Sequence, residues 1–421
     1  IKRLQRNWSL LCQGDIRVNG VVSPAQRFEQ TRKGNYMQAR RSRETNARSR
    51  TSAVAGTFVG SLPTDAGRDV RRVPQYAAPR EVGCFSVIGE HRDFVNGRDE
   101  LKYLCMPRKP NALSWNLNTG LEDEVWANFD QPERLDRLLR WITENRREVT
   151  SDGDPQRQGL GVNFVCKRGL LSTLACTPYR TRDDWLFSAT RYKNTLYLCK
   201  FESESQRAWE AQNPQLAKQM YFWGHKFEQY MTSNRPGALP DTSAPLRSGD
   251  QFYVVLKGRL GSHSLLFTAE VDAIDNDVPQ EPGSTAAYVE FKTARIMTHP
   301  NQERNFFGNK LLSCWSQSFL TGVPRVIVGF RTAYGEVQSV KEYSVEEMPS
   351  LARGKWSDRV CLRFLDEMLS FVKDCVTEDD PNTVYLFTFD PRQNPRVVCK
   401  KLSDPGEFRI LSSSYLDVFG H

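Results

Sequence analysis

The stretch QFYVVLKGRLGSHSLLFTAEVDAI, residues 251–274, predicts the centre of the fold. Its two apolar runs are separated by Gly261-Ser262-His263, which is typical of a β-hairpin. The first run predicts a strand over 251–260 and the second predicts one over 264–274. A later run, AAYVEFKTA at 286–294, predicts a neighbouring strand, so this part of the chain should build a sheet.

These strands carry charges in the middle of apolar runs. Side chains alternate across a strand, so Glu270 and Asp272 should share one face, as should Glu290 and Lys292, with Phe291 on the opposite face. Carboxylates that converge on one spot repel each other unless a proton or a cation lies among them. A hard ion such as Mg²⁺ prefers oxygen ligands, and Lys292 could orient or deprotonate a water and offset phosphate charge. The pattern predicts metal-assisted phosphodiester hydrolysis.

Each acidic pair alone could instead be a charged strand face in water. The two pairs together, each flanked by apolar residues, favour a site. Glu228 lies on an amphipathic helix predicted over QLAKQMYFWGHKFEQYM, residues 215–231. A lone helical Glu usually faces solvent, but this one directly precedes the acidic strands. Glu228 is therefore a candidate fourth ligand.

The alternation of strand and helix signals predicts one mixed α/β domain over 57–421, with a central, largely antiparallel sheet flanked by helices. The signals run from about 81 to 417 without a long linker, and 57–80 is expected to be a Pro/Gly-punctuated lead-in. Further predicted elements are helices over 133–147, 309–320 and 360–372 and a strand over 324–331.

The net charge of +8 is concentrated at the start of the chain. Residues 1–50 hold 12 Lys/Arg against 3 Asp/Glu, which leaves 46 basic and 47 acidic residues for the rest. Residues 1–56 are therefore predicted to be a disordered basic arm. Phosphate attraction favours an RNA or other nucleic-acid partner for this arm, and a merely solvated segment remains the alternative.

The ten cysteines include no C-x-x-C pair, which argues against a zinc ribbon and favours reduced thiols. The five histidines show no ligand spacing. No apolar run is long enough to span a bilayer, and no signal peptide is expected. These features predict a nuclear or cytoplasmic protein without a membrane partner.

Several segments resemble the decapping and exoribonuclease (DXO) family, in order from about 81 to about 390. They include EVGCFSV (81–87), KRGLLSTLACTPY (167–179), GHKFE (224–228), EVD (270–272), EFK (290–292), KLLSCWSQSFLTGVPRVIVGFR (310–331) and DDPNTVYLF (379–387). The resemblance implies a nuclease-like core and an RNA 5′-end hydrolase active in quality control.

The resemblance also implies roles for individual residues. The metal ligands would be Glu228, Glu270, Asp272, Glu290 and the carbonyl of Phe291, holding Mg²⁺ or Mn²⁺, with two ions during catalysis. Lys292 and Gln317 would lie beside the scissile phosphate. The further substrate contacts would be Arg92, Glu133, Lys167, Arg168, Gly169 and Tyr253.

Some of these outer residues could also be explained without a role in substrate binding. Arg168 could be a solvated charge, and Glu133 could be a first-turn residue favoured by the helix dipole. Tyr253 is larger than the residue other members carry, which should change the nucleotide pocket. Lys167 stands where an apolar or aromatic residue is expected.

The resemblance implies removal of triphosphate, incomplete-cap or NAD-cap ends, with 5′→3′ exonuclease activity as a possible second step. Two alternatives stay open: a DNA-directed nuclease with the same core, and a stabilising partner of a 5′→3′ exoribonuclease. The family includes a fungal nuclear protein with that second role, so nuclear localisation is expected.

Overall fold

The computed structural model describes residues 54–65, 73–127, 134–149 and 159–420. The predicted arm over 1–56 lies almost wholly outside these ranges. The lead-in predicted over 57–80 instead contains a strand, because Gly56–Pro63 pairs in antiparallel register with Asn394–Leu402. Its glycines and proline suggest a loop, but a partner strand near the other end of the chain holds it extended.

Two sheets form the framework of the described residues. The strands, in chain order, are β1 Gly56–Pro63, β2 Tyr76–Ile88, β3 Asp93–Val95, β4 Tyr103–Leu104, β5 Trp115–Asn116, β6 Phe164–Lys167, β7 Trp185–Tyr192, β8 Thr195–Phe201, β9 Thr232–Ser233, β10 Gln251–Leu260, β11 His263–Glu270, β12 Ala273–Ile274, β13 Tyr288–Arg295, β14 Arg325–Arg331, β15 Glu336–Ser344, β16 Tyr385–Asp390 and β17 Asn394–Leu402. The first sheet has the order β1-β17-β16-β7-β8-β6-β11-β10-β2-β3, and the second has the order β5-β15-β14-β13-β12-β4-β9.

Most neighbouring strands are antiparallel, as predicted, but β6 runs parallel to both β8 and β11, β12 runs parallel to β4, and β13 runs parallel to β14. The prediction of a mixed α/β fold is confirmed, with two sheets in place of one central sheet. The helices are α1 Asp136–Glu144, α2 Arg146–Val149, α3 Arg168–Cys176, α4 Glu204–Gln212, α5 Pro214–Met231, α6 Pro300–Asn305, α7 Leu311–Thr321, α8 Met348–Leu351, α9 Asp358–Cys375 and α10 Ser413–Gly420.

Strand β10 shows why the first sheet is buried on both faces. Phe252, Val254 and Leu256 join the core that contains α3, α7 and α9. The alternating residues Tyr253 and Val255 join a separate core with α1. Because successive strand residues point to opposite faces, a continuous apolar run is what a sheet covered on both sides requires.

The second sheet is covered in a similar way. Val326 and Val328 of β14 pack on the core of α3, α7 and α9. On the opposite face, Phe291 and Ile327 pack against Phe227 of α5. The three helices α3, α7 and α9 therefore lie between the two sheets, and α5 covers the outer face of the second.

The nine cysteines among the described residues form no disulfide. Cys166, Cys314 and Cys361 are buried in the core between the sheets. In the described ranges, no helix is long and apolar enough to cross a bilayer.

Candidate active site

A cavity of about 440 Å³ opens between the two sheets at the N-terminus of α3. Its walls include every side chain that the sequence nominated and the structure describes, apart from Phe291. These are Arg92, Lys167, Arg168, Gly169, Glu228, Tyr253, Glu270, Asp272, Glu290, Lys292 and Gln317. Glu133 lies outside the described residues, so its predicted substrate contact stays a prediction.

Glu270 and Asp272 lie where the chain passes from one sheet to the other. Strand β11 ends at Glu270, and β12 begins at Ala273 in the second sheet. The single strand predicted over 264–274 is therefore wrong, because the residues after Val271 pair with β13 instead of continuing along β10. The two carboxylates still line one cavity, since only this short link separates the sheets.

Glu290 and Lys292 share one face of β13 and are both buried. The Lys292 ammonium donates a hydrogen bond to Glu290 Oε1. Arg168 Nη1 lies 3.6 Å from Glu290 Oε2. Burial opposes ionisation of Glu290, but the charges of Lys292 and Arg168 outweigh it and hold the pKa of that carboxyl below its ordinary value. Glu290 is therefore an ionised carboxylate.

The same pairing keeps Lys292 charged. Burial alone would lower the pKa of Lys292, but the carboxyls of Glu290 and Asp272 raise it above its ordinary value. A lysine that holds its proton this firmly is a poor base. Of the two roles predicted for Lys292, the arrangement favours offsetting phosphate charge over deprotonating a water.

The surroundings of Asp272 oppose the ionisation of its carboxyl group. Its Oδ2 accepts a hydrogen bond of 2.6 Å from the amide of Phe291. Burial raises the pKa of Asp272 well above its ordinary value, and the charges of Glu290, Glu228 and Glu270 raise it further. The four predicted ligands are thus close enough to repel one another, as the sequence suggested.

Helix α5 supplies the fourth carboxylate from the other side of the cavity. Phe222, Phe227 and Met231 are buried and fix the apolar face of the helix. Glu228 is about one-third exposed, and its Oε2 lies 3.6 Å from His225 Nδ1, one turn earlier. His225 also lines the cavity.

The donor chemistry of this set fits a hard divalent cation. The fit is one of chemistry and not of present geometry, because within the described ranges no group of three Asp, Glu, His or Cys side chains is arranged to hold a metal ion. Lys292 and Arg168 supply the positive charge beside Glu290. The candidate donors are all oxygens, which suits Mg²⁺ or Mn²⁺. A cation would also relieve the repulsion that raises the pKa of Asp272.

The outer contacts are tied together by Gln251, a residue that the sequence did not nominate. Arg92 Nη2 and Tyr253 Oη both donate hydrogen bonds to Gln251 Oε1, and each donor lies 3.2 Å from that oxygen. Tyr253 also stacks on Phe85 at 4.9 Å between ring centroids. Arg92 has a left-handed backbone with φ 58°, and its amide closes the turn onto Gly89. A polar first residue in an apolar strand was the only signal for Gln251.

Other cavity residues were also missed by the sequence reasoning. They are Arg134, Arg180, Arg182, Lys200, Trp209 and Tyr221. None belongs to a recognisable spacing, and they reach the cavity from several elements, Lys200 from β8, Trp209 from α4 and Tyr221 from α5.

The comparisons with known proteins agree with this geometry. The family described as RAI1 like PD-(D/E)XK nuclease matches residues 77–416. This match extends beyond the range of about 81 to 390 over which the resemblance was expected.

Among curated proteins, the decapping and exoribonuclease protein of Homo sapiens is 38% identical over 335 residues, covering 79% of this chain and 83% of that protein. The decapping nuclease RAI1 of Neurospora crassa is 29% identical over 356 residues, covering 80% and 82%.

Among solved structures, Scheffersomyces stipitis Rai1 in complex with (3′-NADP)+ and calcium ion superposes with a TM-score of 0.72 and 21% identity, covering 87% of this chain and 99% of that one. Candida albicans Rai1 in complex with pU5-Mn2+ gives a TM-score of 0.73 and 17% identity, covering 86% and 99%. These likenesses support the fold described above.

Proposed function

This chain belongs to the RAI1-like PD-(D/E)XK nuclease family, and we propose that the acidic cavity between its two sheets is where it hydrolyses RNA 5′ ends. The family identifies the chain as a decapping nuclease of the DXO/Rai1 type, a hydrolase acting on RNA 5′ ends. The observation that carries the assignment of the site is the convergence of Glu228, Glu270 and Glu290 on Asp272, with the charged Lys292 beside Glu290 and Asp272.

Mg²⁺ or Mn²⁺ would be held by the four carboxylates and the main-chain carbonyl of Phe291. Such an ion would supply Lewis-acid chemistry there, polarising the phosphate and lowering the pKa of the attacking water. The hydrogen bond from the Phe291 amide to Asp272 Oδ2 fixes this ligand relative to β13. This hydrogen bond fixes the position of one proposed ligand, the Asp272 carboxylate, relative to another, the Phe291 carbonyl.

The remaining residues act on the RNA. The ammonium of Lys292 and the guanidinium of Arg168 donate hydrogen bonds to oxygens of the scissile phosphate, where negative charge accumulates during attack by water. Gln317 on α7 orients the same phosphate. Arg92 and Tyr253, joined through Gln251, bound the nucleotide pocket. Glu133, Lys167 and Gly169 complete the proposed substrate contacts.

The substrates we propose are RNAs with a 5′-triphosphate, an incomplete cap or an NAD cap. Relatives with this fold are described in complex with (3′-NADP)+, with 3′-FADP and with pU5. Each of these is a nucleotide with phosphates to be held beside cationic side chains, and Lys292 and Arg168 supply such cations here.

The test is incubation of the purified chain with Mg²⁺ and matched RNAs that carry triphosphate, unmethylated cap, NAD or monophosphate 5′ ends. We expect release of the 5′ group from at least one of the first three and no release when EDTA is added. A DNA of the same sequence is the control. Equal hydrolysis of DNA would favour a general nuclease, and no hydrolysis of any substrate would favour a scaffolding role beside an exoribonuclease.

For localisation we propose the nucleus, because the resemblance extends to a fungal nuclear protein and the basic start of the chain, with 12 Lys/Arg in residues 1–50, suits nuclear retention by nucleic acid. Microscopy of the fluorescently tagged full chain tests this, and exclusion from the nucleus would contradict it.

A further inference from the structure

The cavity extends beyond the acidic residues along helix α3. Arg168 and Gly169 lie at the acidic end, and Thr173 and Cys176 line the same cavity further along the helix. Eight helical residues rise by roughly 12 Å. The space is therefore longer than one phosphate group needs, and its far part, which we call the Arg180 end, has no role in the chemistry proposed above.

Arg180 follows the short 3-10 turn Thr177–Tyr179 that ends α3. The side chain is only 7% exposed. Its Nη2 donates to Ser313 Oγ. Its Nη1 lies 3.6 Å from Asp183 Oδ2 and, among the described residues, has no hydrogen-bond acceptor. A buried donor without an acceptor costs on the order of 1–3 kcal/mol, so this nitrogen is suited to an incoming anion.

The position of Ser313 gives the distance from the reacting phosphate. Ser313 and Gln317 are four residues apart on α7, which corresponds to one turn, or roughly 6 Å along the helix. Arg180 is therefore anchored about one turn from the glutamine proposed to contact the scissile phosphate. That separation is comparable with the step between successive phosphates of a single RNA strand.

A second cation lies over the far part of α3, and an aromatic ring lines the same cavity. Lys200 is exposed on β8, and its Nζ donates a 3.0 Å hydrogen bond to Thr173 Oγ1, which holds it over α3. Trp209 of α4 lines the same cavity. A cation beside an aromatic side chain is the combination that proteins use for single-stranded nucleic acids.

One of the two aspartates at this end is engaged with other protein groups. Asp184 accepts hydrogen bonds from Ser203 and Ser205 and lies 3.4 Å from Arg392 Nη2. These contacts tie Asp184 to the start of α4. Asp184 is therefore held mainly by Arg392 and the two serines, whereas Asp183, about one-third exposed and 3.6 Å from Arg180 Nη1, is the carboxylate that an incoming phosphate would displace.

We propose that Arg180 and Lys200 bind a second phosphate of the RNA substrate, one nucleotide from the scissile linkage, and that Trp209 contacts the base beside it. This inference rests on the proposed function, because it assumes that the acidic end holds the scissile phosphate. It assigns the Arg180 end to the RNA chain and makes chain length a determinant of substrate affinity.

The test compares a nucleoside 5′-triphosphate, which lacks the second phosphate, with a 5′-triphosphate RNA of about ten nucleotides. The proteins are the wild type, Arg180→Gln, Lys200→Gln and Arg207→Gln. Arg207 is exposed on α4 and does not line the cavity, so its substitution controls for net charge. Arg180→Lys tests whether charge alone restores binding.

For the long RNA, we expect Arg180→Gln and Lys200→Gln to raise KM about tenfold with little change in kcat, since a charged hydrogen bond contributes about 1.5–3 kcal/mol. The KM for the nucleoside triphosphate should not change. Titration of a 3′-labelled RNA in EDTA at several salt concentrations should give a salt slope lower by about 0.7 for each lost phosphate contact. Arg207→Gln should match the wild type.

Unchanged length preference and salt slope in Lys200→Gln would overturn the inference even if Arg180→Gln failed to fold. An effect that followed the 5′ group, triphosphate or NAD, and ignored chain length would also overturn it, because the Arg180 end would then hold the released group. If the wild type released none of the three proposed 5′ groups from RNA, the proposed function would fail, while the salt slopes would still test the binding site.

Discussion

Asp272 combines burial, a hydrogen bond from Phe291 and repulsion from three neighbouring carboxyls. We predict that Glu270→Ala or Asp272→Ala abolishes hydrolysis and leaves the fold intact. Each change removes a proposed metal ligand, and loss of a group that merely supports a ligand already costs about 10–100-fold. Turnover of triphosphate RNA and the Tm in EDTA are the measurements.

In EDTA the Tm should stay the same or rise, because one repelling charge is gone. Full activity of either variant would contradict the metal assignment, and a large fall in Tm would show that the residue has a structural role.

Lys292 should act on the reaction more than on binding. We predict that Lys292→Ala lowers kcat strongly and changes the Kd for RNA in EDTA much less, because its ammonium faces the phosphate where charge develops. Lys341→Ala, on β15 and away from the cavity, is the matched control. A Kd that weakens as much as kcat falls would reduce Lys292 to a general electrostatic contact.

Glu124 offers a stability test outside the active site. Neither of its carboxylate oxygens has a hydrogen bond among the described residues. Burial raises the pKa of Glu124 to about 8, although Lys218 opposes this. The folded state thus holds its proton more firmly than the unfolded chain, so this group's contribution is complete below the ordinary Glu range and is lost as pH rises toward 8.

We therefore predict that Glu124→Gln stabilises the protein by on the order of 1–3 kcal/mol near pH 8. The gain should shrink as pH falls toward 4.5. Urea unfolding of both proteins across this range measures it. A gain that does not depend on pH would mean that Glu124 is not the titrating group.

At the scale of elements, the position of helix α5 depends on a glycine of the neighbouring strand. A Cβ at Gly329 of β14 would lie 2.4 Å from the ring of Phe227, the residue before Glu228. The ring is buried and meets Phe291 edge-on at 6.1 Å between centroids. The helix that carries Glu228 can approach the second sheet this closely because residue 329 has no side chain.

We predict that Gly329→Ala destabilises the fold by about 1–3 kcal/mol, the usual cost of overpacking. It should also lower activity further than the stability loss explains, because Glu228 moves with the helix. Gly308→Ala is the control, since its nearest contact would be an ordinary 3.8 Å to Lys355. Normal activity in a destabilised Gly329→Ala variant would show that Glu228 does not act in the active site.

The elements also show what the sequence could predict. The strand over 251–260 and the helix ending at Met231 were predicted correctly because apolar periodicity is a local signal. The break after Glu270 was not predicted, since Val271 continues the alternation and the change of sheet depends on pairing with β13. The same reason hid β1, whose partner strand is almost at the other end of the chain.

The residues of the site also fall into those that the sequence could predict and those that it could not. The acidic residues could be nominated because charges inside apolar strands are unusual. Gln251 and Arg180 could not, because their roles depend on contacts with Arg92 and Ser313 that only the folded chain creates.

At the scale of the whole molecule, the body without its basic start is almost neutral. We predict that deleting residues 1–53, a cut that leaves β1 intact, does not change hydrolysis of a short 5′-triphosphate RNA. Affinity for long RNA should fall and its salt dependence should flatten, because fewer phosphates are neutralised.

Titrations of long RNA with the full and shortened chains, at two salt concentrations, measure the effect. Identical salt slopes would show that the arm makes no contact with RNA and serves another purpose. A loss of activity on the short RNA would place part of the catalytic machinery before residue 54.

The short link between β11 and β12 divides the acidic set between the two sheets. Glu270 ends a strand of the first sheet, whereas Glu290 belongs to the second. Neither sheet alone holds the full acidic set, so we expect a partly folded chain whose sheets have not docked to be inactive. We therefore expect a nascent polypeptide to hydrolyse no RNA until its two sheets have docked.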